Sequence, residues 1–211
     1  MADDVFAVTT QNRLRLADLL DRLTDEQWEA PSLCAGWRVR EVAGHLLQPF
    51  EVGFGRFFVA ALRFRGDTDR VVDHYARVLA RRPPEEIVGA LRARAAARVS
   101  PLRVGPMGPF AETCVHLRDI ARPLGLADDV LPGHWRLLLD YLTSEGVAPA
   151  LVPPGRLDGL RMEAADGSWS RGEGALLAGP LEALGMAVTG RTAALADLAG
   201  PGVELLRRRL R

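Results

Sequence analysis

"CAGWRVREVAGHL", residues 34–46, and "ETCVHLRDIARPLG", residues 112–125, are the two stretches on which the reading of this chain turns. In the second, Glu112 and His116 stand four residues apart, so on a helix both project from one face, one turn apart. The first puts His45 on a different helix, one that starts near Arg38. One Glu and two His with an open fourth position make a catalytic type of zinc shell, whose vacancy accepts water or a thiolate. Helical bundles build such sites from inward-facing carboxylates and histidines on facing helices.

The surrounding pattern is helical. Leu14, Leu16, Leu19, Leu20 and Leu23 recur at near-helical spacing and predict an amphipathic helix over 5–23. Thr24 and Gln27 have the spacing of a capping box and predict a short second helix. A long helix is expected from about Arg38 to Phe64, kinked at Pro49, where the chain loses a backbone donor. "DRVVDHYARVLARR" and "PPEEIVGALRARAAARV" read as two further helices, the second entered through Pro84 with acids in its first turn. "GPFAETCVHLRDIARPL" follows, stopped by Gly125, and 132–146 forms another helix.

After residue 148 the texture changes. "APALVPPGRLDG" is rich in Pro and Gly, and beyond it Leu160, Met162 and Ala164 alternate with charged or small residues, with "ADG" offering a turn. "PLEALGMAVTG" and "VELLRRRL" read as helices. The expected organisation is therefore a mainly α chain: a helical bundle over 1–148, a Pro/Gly-rich linker over 149–157, and a small α+β domain over 158–211. So small a domain buries little by itself and is expected to pack on the bundle.

Composition narrows the function classes. The 27 basic and 27 acidic residues cancel, so nothing attracts the whole molecule to nucleic acid or to anionic lipid. Every basic residue is Arg, and the abundance of Ala, Gly, Leu and Pro suggests GC-rich coding rather than a functional choice. No window offers 18 uninterrupted apolar residues, and the acidic N-terminus carries no apolar signal core. Cys34 and Cys114 are too few for a disulfide framework. The expectation is a cytoplasmic protein, a monomer or small homo-oligomer, with neither nucleic acid nor membrane as partner.

Three blocks carry a family resemblance. "LADLLDRLTDEQWEAPSLCAGWRVREVAGHLL" resembles the opening of the mycothiol-dependent maleylpyruvate isomerase family, among the DinB-like metal-binding bundles. "ETCVHLRDIARPLG" resembles its second signature, a Glu-x-x-x-His followed by Asp-Ile, and "DGSWSRGEG…AGPLEALGMAVTGR" its small C-terminal domain. The resemblance implies a DinB-like antiparallel four-helix bundle followed by a small α+β domain. It also implies that His45, Glu112 and His116 hold a divalent metal, Zn²⁺ first among candidates, and that the thiol partner is mycothiol.

A thiol in solution, with a pKa near 8.5, is only a few per cent thiolate at about pH 7, whereas a metal-coordinated thiol is deprotonated outright. The implied enzyme adds such a thiolate to a small electrophile. The thiolate then leaves again, as in an isomerase, or stays, as in an S-transferase. Two alternatives stand beside it: a non-enzymatic metal- or thiol-binding module, and a zinc hydrolase that activates water, since the ligand shell does not distinguish water from sulfur.

An acidic substrate would call for Arg. Arg56, Arg63 and Arg191 are candidates, and the family pattern around "TGR" selects Arg191 as the catalytic one. Arg38 stands where the family has Thr or Ser, so the hydroxyl N-cap is missing and Gly36 or a backbone contact is expected to replace it. Asp119 shares the face of His116 and either supports its imidazole or pairs with Arg40, the pairing being preferred. Cys114 reads as core, Cys34 as a residue of the connection with nothing nearby to mark it as reactive, and His74 and His134 as surface.

Overall fold

The computed structural model describes residues 2–101 and 104–210. They form α1 (Ala2–Asp21), α2 (Asp25–Trp28), α3 (Val39–Glu51), α4 (Phe54–Arg63), α5 (Thr68–Leu79), α6 (Pro84–Ala93), α7 (Met107–Ala121) and α8 (Pro132–Leu142). There follow β1 (Leu160–Ala164), β2 (Ser170–Arg171), β3 (Ala175–Gly179), α9 (Leu181–Val188), a 3-10 turn (Thr192–Asp197) and α10 (Gly202–Arg209). The fold is mainly helical with one small sheet, as the sequence pattern implies. Among the described residues no helix is long and apolar enough to cross a membrane.

The chain divides into two compact units: Met1–Val99 with His116–Asp129, and Ser100–Val115 with Val130–Arg211. The division falls inside α7. In the first unit α3 packs on α5 and α6, and α6 on α1. Its core holds Leu16, Leu19 and Leu20 from α1, Val42 and Leu47 from α3, Ile87 and Leu91 from α6, and Leu117 and Ile120 from α7. Leu14, read as part of the apolar stripe, is instead exposed. The close approach of α3 to α5 depends on Gly44, where a Cβ would lie 2.5 Å from the Ala76 carbonyl oxygen and 2.8 Å from the Ala80 nitrogen. Only a residue without a side chain fits there, one position before His45.

The helix starts follow their local chemistry. Thr24 and Gln27 form the expected reciprocal box: Gln27 N donates to Thr24 Oγ1 at 3.3 Å, and Thr24 N to Gln27 Oε1 at 2.9 Å. At the head of α3 the missing hydroxyl cap is replaced by Glu41, whose Oε2 accepts from the Arg38 amide at 2.9 Å; Gly36 plays no capping part. Burial raises the Glu41 carboxyl, but the Arg38 guanidinium and amide outweigh it and hold the group below its ordinary value. The expected long helix from Arg38 to Phe64 is broken rather than kinked. Pro49 lies within the last turn of α3, where it removes the donor that would meet the His45 carbonyl. The chain then leaves helical geometry at Val52 and re-enters through Gly53.

In the second unit β1 is central, antiparallel to β2 and parallel to β3. Leu160, Met162 and Ala164 are buried and the residues between them are not, the alternation seen in the sequence. α9 and α10 pack on the sheet and α8 on α9. Gly185 admits the buried Trp135 ring, because a Cβ there would lie 2.7 Å from it.

Candidate metal centre

The loop between α2 and α3 is stitched to itself and to two helices. Ser32 N and Oγ both donate to the Trp37 carbonyl, at 3.0 and 2.9 Å, and Trp37 N donates to the Cys34 carbonyl at 3.0 Å. Gly36 takes the left-handed conformation that this turn requires. Leu33 N donates to the Asp119 carbonyl at 3.0 Å, which ties the loop to α7. Arg77 Nη2 donates to the Gly36 carbonyl at 3.1 Å, which ties it to α5.

This stitching sets the side chains. Trp37 Nε1 donates to Asp73 at 2.8 Å, and Arg77 Nε reaches both oxygens of that carboxylate at 3.0 Å. Chiefly because of the Arg77 guanidinium, with Trp37 adding, Asp73 stays below the ordinary aspartate range despite some desolvation. The Trp37 ring so held lies 5.3 Å from the His45 ring, centroid to centroid. His45 in turn meets His116 edge to face, with centroids 5.0 Å apart. The structure thus brings together two of the three ligands expected from sequence, across two helices.

His116 carries a second set of contacts. Its Nδ1 is 2.9 Å from Oδ2 of Asp119, which is fully buried. Cys34 Sγ donates to the same oxygen at 3.1 Å and lies 3.7 Å from His116 Nδ1. A carboxylate only accepts, so in this contact His116 Nδ1 carries a proton and donates to Asp119. The donor atoms of Cys34, His116 and Asp119 all lie within 4.8 Å of one another, and such a group could hold a metal ion. Yet tetrahedral zinc, with bonds of about 2.0–2.3 Å, separates its ligand atoms by roughly 3.3–3.5 Å. Separations of 2.9 and 3.1 Å are hydrogen bonds. As it stands the trio is a hydrogen-bonded support that fixes the tautomer and plane of His116.

The remaining expected residues are placed as follows. Glu112 is half-buried, one turn before His116 on α7, and belongs to the second unit. Arg191, also in the second unit, is half-buried; its amide donates to the Met186 carbonyl and its Nη1 to that of Thr189, at 3.0 Å. The preferred Asp119–Arg40 pairing is not made: Arg40 pairs with Glu29 at 2.9 Å, and Asp119 serves His116. Cys34 is half-buried and engaged with Asp119, a role the sequence does not announce, while Cys114 is core as expected. His134 is buried against Phe110 rather than on the surface, because the inward face of α8 begins at residue 134. His74 is half-buried between Phe64 and Tyr75.

Comparison with known proteins gives one family and one fold. The family described as the mycothiol maleylpyruvate isomerase N-terminal domain matches residues 10–119, slightly more than half of the chain. A crystal structure of the mycothiol-dependent maleylpyruvate isomerase aligns with a TM-score of 0.60 at 12% identity, covering 96% of this chain and 93% of that one. A structure of a histidine-to-alanine mutant of that isomerase aligns with the same coverage, a TM-score of 0.55 and 11% identity. No curated protein matches significantly.

Proposed function

The chain belongs to the mycothiol maleylpyruvate isomerase family, and from that premise we propose a metal-dependent enzyme that uses mycothiol on a small electrophile, as an isomerase or an S-transferase. His45, Glu112 and His116 are the proposed ligands, with Zn²⁺ the leading ion. The observation that carries the reading is the meeting of the His45 and His116 rings, with His116 oriented by a buried carboxylate. His45, Glu112 and His116 would hold the ion, and the chemistry it would supply there is Lewis acidity that favours the thiolate form of a thiol.

The chain's own residues do the rest. Asp119 accepts the Nδ1 proton of His116, which turns Nε2 outward and raises the basicity of the ring. Trp37, anchored through Asp73, limits the rotation of His45. Arg191, its guanidinium held by the Thr189 carbonyl, is the proposed site for an anionic group of the substrate. Cys34, His116 and Asp119 are the second reading of the ligand set, favoured by their proximity alone.

Metal analysis of purified variants separates the two. About one divalent ion per chain is expected in the wild type and in Cys34→Ala, and loss of it in His45→Ala, Glu112→Ala and His116→Ala. Retention in His45→Ala together with loss in Cys34→Ala would transfer the site to the second set. For the chemistry, mycothiol added to Co²⁺-substituted protein should give a sulfur-to-metal charge-transfer band. Metal-dependent ester hydrolysis without any such band would mark a water-activating hydrolase instead.

A further inference from the structure

Helix α4 carries the largest apolar anomaly on the described surface. Phe54 is 86% exposed, Phe58 53%, Val59 66% and Leu62 66%. Scattered exposed apolar residues are ordinary, but four on one ten-residue helix are a patch. At 100° per residue, positions 54, 58, 62 and 59 span an arc of about 140° on the helix surface. The opposite side faces inward through buried Ala60 and half-buried Phe57 and Phe64, and Tyr75 Oη donates to the Arg56 carbonyl at 2.8 Å, pinning α4 to α5. The arc is therefore a fixed outward face, with Phe54 and Phe58 stacked 6.2 Å apart upon it.

We propose that this face is a docking surface for a second copy of the same chain, with the two α4 helices packed antiparallel about a twofold axis through Phe58. Size is the first argument. Side chains of this kind offer on the order of 150–200 Å² each, so these exposures leave about 500 Å² of apolar surface per copy. A symmetric pair then removes about 1,000 Å² before any rim is counted, close to the roughly 1,200–2,000 Å² of stable interfaces.

Symmetry is the second argument. A stripe at i, i+4 and i+8 is self-complementary when antiparallel: Phe54 falls beside the partner's Leu62, and Phe58 beside the partner's Phe58. Charge is the third. Antiparallel pairing sets the two helix dipoles in opposition, so that each offsets the other. A lipid surface is a poorer occupant, since the arginines beside the patch (Arg56, Arg63, Arg65) are interspersed with Glu51, Asp67 and Asp69, and the whole chain carries no net charge, so no one-signed field holds it to an anionic membrane.

Sedimentation velocity of the full chain tests this. A concentration-dependent monomer–dimer equilibrium is expected in the micromolar range. The triple variant Phe54→Ser, Phe58→Ser, Leu62→Ser should weaken the dimer at least about tenfold, with unchanged circular dichroism, because these side chains support no core. Under mild oxidation Phe58→Cys should give a covalent dimer through residue 58, as an axis through that position requires. A wild type that stays monomeric throughout overturns the proposal, as does a dimer indifferent to the triple variant. Capture of monomeric wild type, but not of the triple variant, by phosphatidylglycerol vesicles overturns it in favour of lipid.

Discussion

Replacing Asp119 by Asn separates a metal ligand from a residue that supports one. In the structure Asp119 Oδ2 accepts from His116 Nδ1 at 2.9 Å and from Cys34 Sγ at 3.1 Å, and the side chain is fully buried. Asn keeps the shape and an oxygen for the Nδ1 proton, but the charge that makes the imidazole a better donor is lost. Losing a support of this kind costs about 10–100-fold in metal affinity, or roughly 1.4–2.7 kcal/mol. Asp119→Ala removes the acceptor as well and deprives the buried His116 and the half-buried Cys34 of it, so about 1–3 kcal/mol of folding stability should go with it. The assay is chelator competition for the metal affinity, with thermal denaturation of the metal-free protein in parallel. Asp119→Asn should bind metal measurably but more weakly, with the melting temperature of the apoprotein little changed. Affinity within twofold of the wild type would refute the supporting role, and complete loss of metal in Asp119→Asn would make Asp119 a ligand.

Two further outcomes follow from the same packing. Gly44→Ala should destabilise the fold by about 1–3 kcal/mol in thermal denaturation, because the new methyl meets the backbone of Ala76 and Ala80, which cannot rotate away. Asp73 is depressed below the ordinary aspartate value, so its contacts with Arg77 and Trp37 stabilise the fold fully above about pH 4 and are lost only as the pH falls through the lower folded value. The stability difference between wild type and Asp73→Asn should thus be flat from about pH 5 to 8 and shrink in stronger acid; a difference that already shrinks between about pH 7 and 5 would contradict it.

What was legible in the sequence was what local chemistry determines. The capping box at Thr24 and Gln27, the alternation of Leu160, Met162 and Ala164, and the proximity of His116 to Asp119 all follow from spacings of two to four residues. The break between α3 and α4 was half legible: Pro49 was visible, but a proline close to a helix end is tolerated, and it is Val52 and Gly53 that end the helical geometry. Beyond the meeting of His45 and His116, which the family resemblance implies, contacts between distant parts of the chain left no trace in the pattern. Nothing around Cys34 points to Asp119, 85 residues away, nor around Trp37 to Asp73. Arg40 has the charge to meet Asp119, yet Glu29 lies within its reach, and the buried carboxylate goes to the imidazole that can satisfy it. The burial of His134 is not legible, because one histidine on an amphipathic helix does not reveal which face turns inward.

The stitched loop before α3 also sets an order of events. Its side-chain ties to α5 and α7 close chain segments of 36 to 85 residues, whereas each helix needs only its own neighbours in sequence. Closing long segments costs entropy that only the finished contacts return, so the helices come first and the cluster around His116 last. A partly folded or thermally loosened molecule therefore keeps most of its helicity after the centre has come apart. On the metal-dependent function proposed above, the competence to hold an ion is a late and separate acquisition, lost before the shape is.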